Sequence, residues 1–96
     1  MLFKEAKVKI RKHKRDLSNL GVRSLALFGS IARNEGSPNS DVDILIEFDP
    51  KKGLLEFMDV KNHLEEFLGC EVDLVTKDAL HPALKKRILQ EAKYVF

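Results

Sequence analysis

The segment DVDILIEF, Asp41 to Phe48, constrains this chain more than any other. Successive side chains of a strand point to opposite faces. Val42, Ile44, Ile46 and Phe48 then share one face, while Asp41, Asp43, Leu45 and Glu47 share the other. Such a strand can lay one face on an apolar core. Its second face carries two carboxylates one residue apart, whose repulsion something else must offset.

The flanking sequence supplies a frame. Leu2, Phe3, Ala6, Ile10, His13, Leu17 and Leu20 recur at helical spacing and predict one amphipathic helix, with Gly21 as its C-cap. VRSLALF predicts a short buried strand ending at Phe28. Gly29 and Ser30 turn the chain, and SIARNE predicts a brief helix with Ser30 as N-cap. GSPNS, Gly36 to Ser40, and DPKKG read as loops. Leu54, Leu55, Met58, Leu64, Phe67 and Leu68 predict a second amphipathic helix closed by Gly69. CEVDLVT predicts a third strand, with Glu71, Asp73 and Val75 on one face. A last helix carries Leu80, Leu84, Ile88 and Ala92 four apart, with Pro82 in its first turn and His81 just before it. YVF predicts a closing strand. The alternation predicts an α/β (α+β) fold, a small mixed β-sheet flanked by helices, in one domain over residues 1–96.

Composition narrows the function classes. With 96 residues and 44% hydrophobic content, the core is modest, so a partner or self-association into a homo-oligomer would help stability. Lys plus Arg number 17 and Asp plus Glu 15, a net charge of +2 that announces no direct nucleic-acid binding. The basic run KVKIRKHKR, Lys7 to Arg15, reads as the solvated face of a helix in preference to a dock for a phosphate-rich or acidic partner. Cys70 is the only cysteine, which excludes an intrachain disulfide or cysteine-based metal site and fits a reducing cytoplasm. No apolar run approaches the roughly 20 residues that span a bilayer, so no membrane is expected. Charges interrupt MLFKEAKVKI, which does not read as a signal peptide.

If the strands carrying Asp41, Asp43 and Asp73 are neighbours, three carboxylates can converge at one end of the sheet. Carboxylate oxygens suit hard cations such as Mg²⁺. Two such ions, about 3.5–4 Å apart, stabilise attacking and leaving oxygens in displacement at phosphorus. Gly29 lets the backbone approach a ligand, Ser30 offers a hydroxyl, and the start of the following helix offers free N–H groups to phosphate. Arg33, about one turn on from Ser30, can reach the same side with a forked guanidinium. Taken singly, the Gly-Ser pair is a turn, Asp41 a loop acid and Asp73 an exposed strand acid. Together on a strand–turn–helix–loop–strand frame they read as a phosphate-and-metal site. His13, His63 and His81 show no metal-ligand spacing and read as structural or solvent-facing, with His81 the one weak exception.

LFGSIARNEGSPNSDVDILIEF resembles the signature of the minimal nucleotidyltransferases of the DNA polymerase β-like superfamily. Gly29, Ser30, Ala32, Arg33, Ser40, Asp41 and Asp43 match its pattern, and Asp73 falls on its third carboxylate. The resemblance covers nearly all of the chain after Gly21. Asn34 departs, standing where the family usually has Gly, though Asn tolerates left-handed backbone. The resemblance implies the nucleotidyltransferase fold and transfer of AMP from ATP with Mg²⁺ in a two-ion site. It implies Asp41, Asp43 and Asp73 as catalytic metal ligands, and Gly29, Ser30, Arg33 and Ser40 as nucleotide-binding residues. It also implies a partner, a HEPN-domain toxin whose tyrosine hydroxyl takes the AMP, making this chain a cytoplasmic antitoxin. A non-catalytic antitoxin that neutralises by binding is the alternative. A small-molecule nucleotidyltransferase is the weaker one, since such enzymes usually add a substrate-binding domain.

Overall fold

The computed structural model describes residues 1–36 and 41–96. Helices α1 (Phe3–Arg11) and α2 (Lys14–Asn19) precede strand β1 (Val22–Phe28). A 3₁₀ turn, Gly29–Ile31, follows, and then β2 (Val42–Phe48), α3 (Leu54–Leu68) and β3 (Val72–Thr76). A second 3₁₀ turn, Lys77–Ala79, leads to α4 (Pro82–Glu91) and β4 (Lys93–Tyr94). The sheet is mixed, in the order β3-β2-β1-β4. β1 pairs antiparallel with both β2 and β4. β2 and β3 run parallel, so their connection must cross over the sheet, and α3 supplies that crossover.

The alternation in β2 sorts as its sequence predicts. Ile44 and Ile46 join Leu25, Leu27, Val72 and Leu74 in one apolar cluster. Ala6 and Ile10 of α1, Leu17 of α2, and Val60, Leu64 and Leu68 of α3 cover that face. An irregularity in the pairing between Val22 and Ser24 lets Val22 and Leu25 both enter this cluster. Ala26 and Leu45 are also buried but stand opposite each other on the other face, outside the cluster. That face also carries the acids, with Asp43 and Glu47 half-buried and Asp73 exposed, beside the half-buried Phe28 and Val75.

Three expectations need correction. The first helix is two, because the chain leaves helical geometry at His13 (φ −111°, ψ 17°). There the His13 ring lies flat on Phe67, with centroids 3.6 Å apart and planes 6° apart. The apolar stripe runs through the break unchanged, so its periodicity carried no sign of it. The start of α3 is also not core: Leu54 is 74% and Leu55 79% exposed, and Met58 is exposed, whereas Val60 is buried. Finally, α4 buries no side chain fully, and Leu84, in its expected stripe, is exposed. His81 caps α4, its Nδ1 accepting from the Ala83 N–H at 3.1 Å. No helix among the described residues is long and apolar enough to cross a membrane.

Asn34 ties α1 to the turn after β1. Its backbone is left-handed, φ 57°, the conformation that glycine adopts without strain. Its Oδ1 accepts from the Phe3 N–H at 2.8 Å, satisfying a free donor at the start of α1 whose N-cap Leu2 has no side chain to offer. An alanine there meets the left-handed penalty and also loses the cap. We therefore expect Asn34→Ala to cost about 2 kcal/mol of stability in urea unfolding. Asn34→Gly keeps the backbone and loses only the cap, at about 1 kcal/mol. Equal losses would rule out the backbone contribution.

Candidate active site

β1 delivers the chain into Gly29, whose φ of +69° turns it sharply away from the sheet. The expected helix over SIARNE is shorter than its sequence suggests, a single 3₁₀ turn with no side-chain cap. Ser30 is therefore not an N-cap; its carbonyl accepts from the N–H groups of Arg33 at 3.2 Å and Glu35 at 2.8 Å. So short a turn sums too few peptide dipoles to act as a helix terminus. What remains for a ligand is the Ser30 hydroxyl and the open backbone at Gly29.

That openness is used at once. A Cβ on Gly29 would lie 2.1 Å from Asp43 Oδ2. Only glycine lets the carboxylate of β2 rest against the turn after β1. The register explains the approach, because Phe28 stands opposite Asp43 in the antiparallel pair. On its other side, Asp43 stands opposite Asp73 in the parallel pair. The Val42 N–H donates to the Glu71 carbonyl at 3.0 Å, which pins the two strands in this alignment.

Asp43 is thus the meeting point of the acids. Burial holds its carboxyl above the usual 3.8, and Asp73 and Asp41 raise it further, as does a carboxyl–carboxyl hydrogen bond with Asp73. Arg33 offsets part of this. Asp41 and Asp73 are exposed. Among the described residues no three acidic, His or Cys side chains are gathered closely enough to ligate one ion as they stand. Asp43 and Asp73 form a contacting pair, with Asp41 in electrostatic range. An all-carboxylate donor set whose members repel one another fits a hard divalent cation.

Arg33 differs from expectation. Its side chain is exposed, and its Nε donates to Glu35 Oε2 at 2.9 Å and its Nη1 to Glu91 Oε1 at the end of α4. It stays near enough to lower the Asp43 pKa, yet its hydrogen bonds go to glutamates. Glu91 was not legible in the sequence, since nothing local marks a partner 58 positions away. Ser40 lies outside the described residues. Two clefts flank the sheet. One of about 450 Å³ is lined by Glu47, Phe48 and Thr76 at the far ends of β2 and β3, and none of the three aspartates borders it. The other, about 300 Å³, is bordered by both Ser30 and Asp41.

The nucleotidyltransferase domain family matches residues 10–95. The protein adenylyltransferase MntA of Thermococcus cleftensis is 43% identical over 84 residues, covering 86% of this chain and 85% of that protein. A solved structure described provisionally as a minimal nucleotidyltransferase superposes with a TM-score of 0.86 at 31% identity, covering 97% of this chain and 95% of the other. A chain of a toxin–antitoxin crystal structure with AMP-PNP superposes with a TM-score of 0.76 at 25% identity, covering 94% and 72% respectively. The chain belongs to the nucleotidyltransferase domain family.

Two stability measurements check this geometry. The folded chain keeps the Asp43 proton to higher pH than the unfolded chain does, so stability falls as pH rises from about 3.8 through the raised value. With chelator present, Asp43→Asn should raise the urea midpoint at pH 7, and the gain should vanish in acid. A lower midpoint at pH 7 would contradict the repulsion. Gly29 and Gly69 have nearly the same φ, +69° and +70°, but a Cβ on Gly69 meets nothing within 4 Å. Gly69→Ala should cost about 1–2 kcal/mol, and Gly29→Ala distinctly more, because Asp43 must also move.

Proposed function

We propose that this chain is a Mg²⁺-dependent protein adenylyltransferase that moves AMP from ATP to a tyrosine hydroxyl of a HEPN-type toxin, acting as its antitoxin in the cytoplasm. The domain that does this is residues 1–96. The observation that carries the reading is the placement of Asp43 against both Gly29 and Asp73. Similarity to a named protein adenylyltransferase and to a toxin–antitoxin structure with AMP-PNP supports the nucleotide and the class of partner.

Asp41 and Asp43 would hold the ion that accompanies the ATP phosphates, and with Asp73 a second ion. Bound there, Mg²⁺ supplies charge neutralisation for the attacking and leaving oxygens. The chain's own residues do the rest. Gly29, lacking a side chain, lets the Asp43 carboxylate rest beside the turn that carries Ser30. The Ser30 hydroxyl donates to the phosphate oxygens. Asp73, exposed at the start of β3, would take the proton of the incoming hydroxyl. The acceptor oxygen bonds to the α-phosphorus, the bond to the bridging oxygen breaks, and pyrophosphate leaves. Arg33 joins the phosphates by exchanging its glutamate partners for phosphate oxygens, which offer the same forked acceptor geometry. Catalysis of this kind is mainly positioning and charge stabilisation.

The test is transfer of label from ATP to the HEPN-type protein encoded beside this one. The wild type with Mg²⁺ should label it, and the label should be lost in a Tyr→Phe acceptor. Asp41→Asn combined with Asp43→Asn should abolish transfer while circular dichroism stays native. Transfer at the wild-type rate by that double variant would sink the assignment. Neutralisation of the toxin without ATP or label would point to an antitoxin that acts by binding alone.

A further inference from the structure

The cleft beside Ser30 and Asp41 has a cationic wall that no part of the mechanism above uses. It holds about 300 Å³, and Lys9 and Glu5 of α1, Gly36 and Cys70 border it together with Ser30 and Asp41. Ser30 and Gly36 both border it, and the Ser30 Oγ lies beside Gly36, 3.7 Å from where a Cβ on that glycine would stand. Burial raises the Cys70 pKa, and the N-terminal ammonium and, after it, Lys9 act to lower it. We propose that Lys9 is a phosphate-binding residue of the nucleotide site, contacting the β- and γ-phosphates that lie beyond Ser30. The inference rests on the nucleotidyltransferase reading, which requires a triphosphate to pass Ser30 and Asp41.

The chemistry favours this occupant. Asp41, which would hold an ion, and Lys9 border the same cleft. A triphosphate is a chain of negative charge that can meet both. Among the described residues Lys9 pairs with Glu5, one turn before it, at 3.4 Å, with side chains 41% and 53% exposed. An exposed pair of this type is weak, so Lys9 can leave it for a dianionic phosphate at little cost. In the basic run around Lys9, Arg11, Lys12, Lys14 and Arg15 are exposed, while Lys7 and Lys9 are half-buried. Lys9 borders the cleft, which sets it apart from the others.

Titration calorimetry of the full chain with Mg²⁺-ATP and with AMP tests the assignment. Lys9→Ala should weaken ATP binding about tenfold, the loss of one charge-assisted contact, and leave AMP binding unchanged. Lys9→Arg should recover part of the ATP affinity, and Lys12→Ala should leave it untouched. Glu5→Gln frees Lys9 and should hold or tighten ATP binding, whereas a merely structural Lys9–Glu5 pair would make both variants weaken alike. ATP, but not AMP, should slow alkylation of Cys70 by iodoacetamide. Equal weakening of ATP and AMP in Lys9→Ala, or no weakening at all in a protein whose wild type transfers AMP, overturns the role of Lys9 alone. A wild type that neither binds ATP nor transfers AMP overturns the underlying reading and Lys9 with it.

Discussion

The contact of Asp43 with Gly29 on one side and Asp73 on the other is the constraint on which the rest of the site depends. A half-buried carboxylate beside two more acids is unfavourable, and burial and repulsion together push its proton affinity up. The fold holds it there through backbone register, which side-chain repulsion cannot easily shift. Phe28 and Asp73 are fixed opposite Asp43 by two ladders of opposite direction. Sliding β1 by one residue would turn Leu25 and Leu27 out of the core, and sliding β3 would turn out Val72 and Leu74. The apolar face of the sheet therefore enforces the geometry of the polar one.

This division of labour accounts for the uneven packing of the helices. α1, α2 and α3 crowd the face that must not slip, with Ile10, Leu17, Val60 and Leu64 fully buried. α4 buries no side chain fully, and the face with the carboxylates closes only over Ala26 and Leu45. A domain of this size has few apolar residues to spend, and concentrating them on one face leaves the other open to ligand. The stability sacrificed at Asp43 is the kind commonly found at functional sites.

What was legible in the sequence follows period and chemistry. The period of two in DVDILIEF and CEVDLVT sorted both strands correctly, and the three aspartates stood out because acids are costly in apolar strands. Gly29 was legible as a turn, but the cause of the glycine is a carboxylate that comes 14 positions later and is visible only in three dimensions. Helical spacing failed where nothing in it marks burial. Leu54, Leu55 and Met58 fit the stripe of α3 and are nonetheless exposed, while Phe57 at the same end packs against Phe48 of β2. The break at His13 was equally silent, since neither Pro nor Gly announces it. Asn34 was noticed only as a departure from Gly. Its amide does what glycine cannot, adding a cap for α1 while accepting the same left-handed backbone.

Arg33 shows how an arrangement that differs from expectation still serves the same chemistry. Between Glu35 and Glu91 the guanidinium has two carboxylates, and it still lowers the Asp43 pKa. Its side chain is 48% exposed, and ion pairs in such surroundings contribute roughly 0–1 kcal/mol. A phosphate presents the same planar pair of acceptors with more charge. The glutamates thus hold Arg33 near the acids at little energetic depth, and exchange to phosphate costs less than ordering a free arginine side chain from solvent. The same logic applies to Lys9 and Glu5 on the opposite flank. Arg33 and Lys9 are each kept in place by weak acidic partners that a nucleotide can displace.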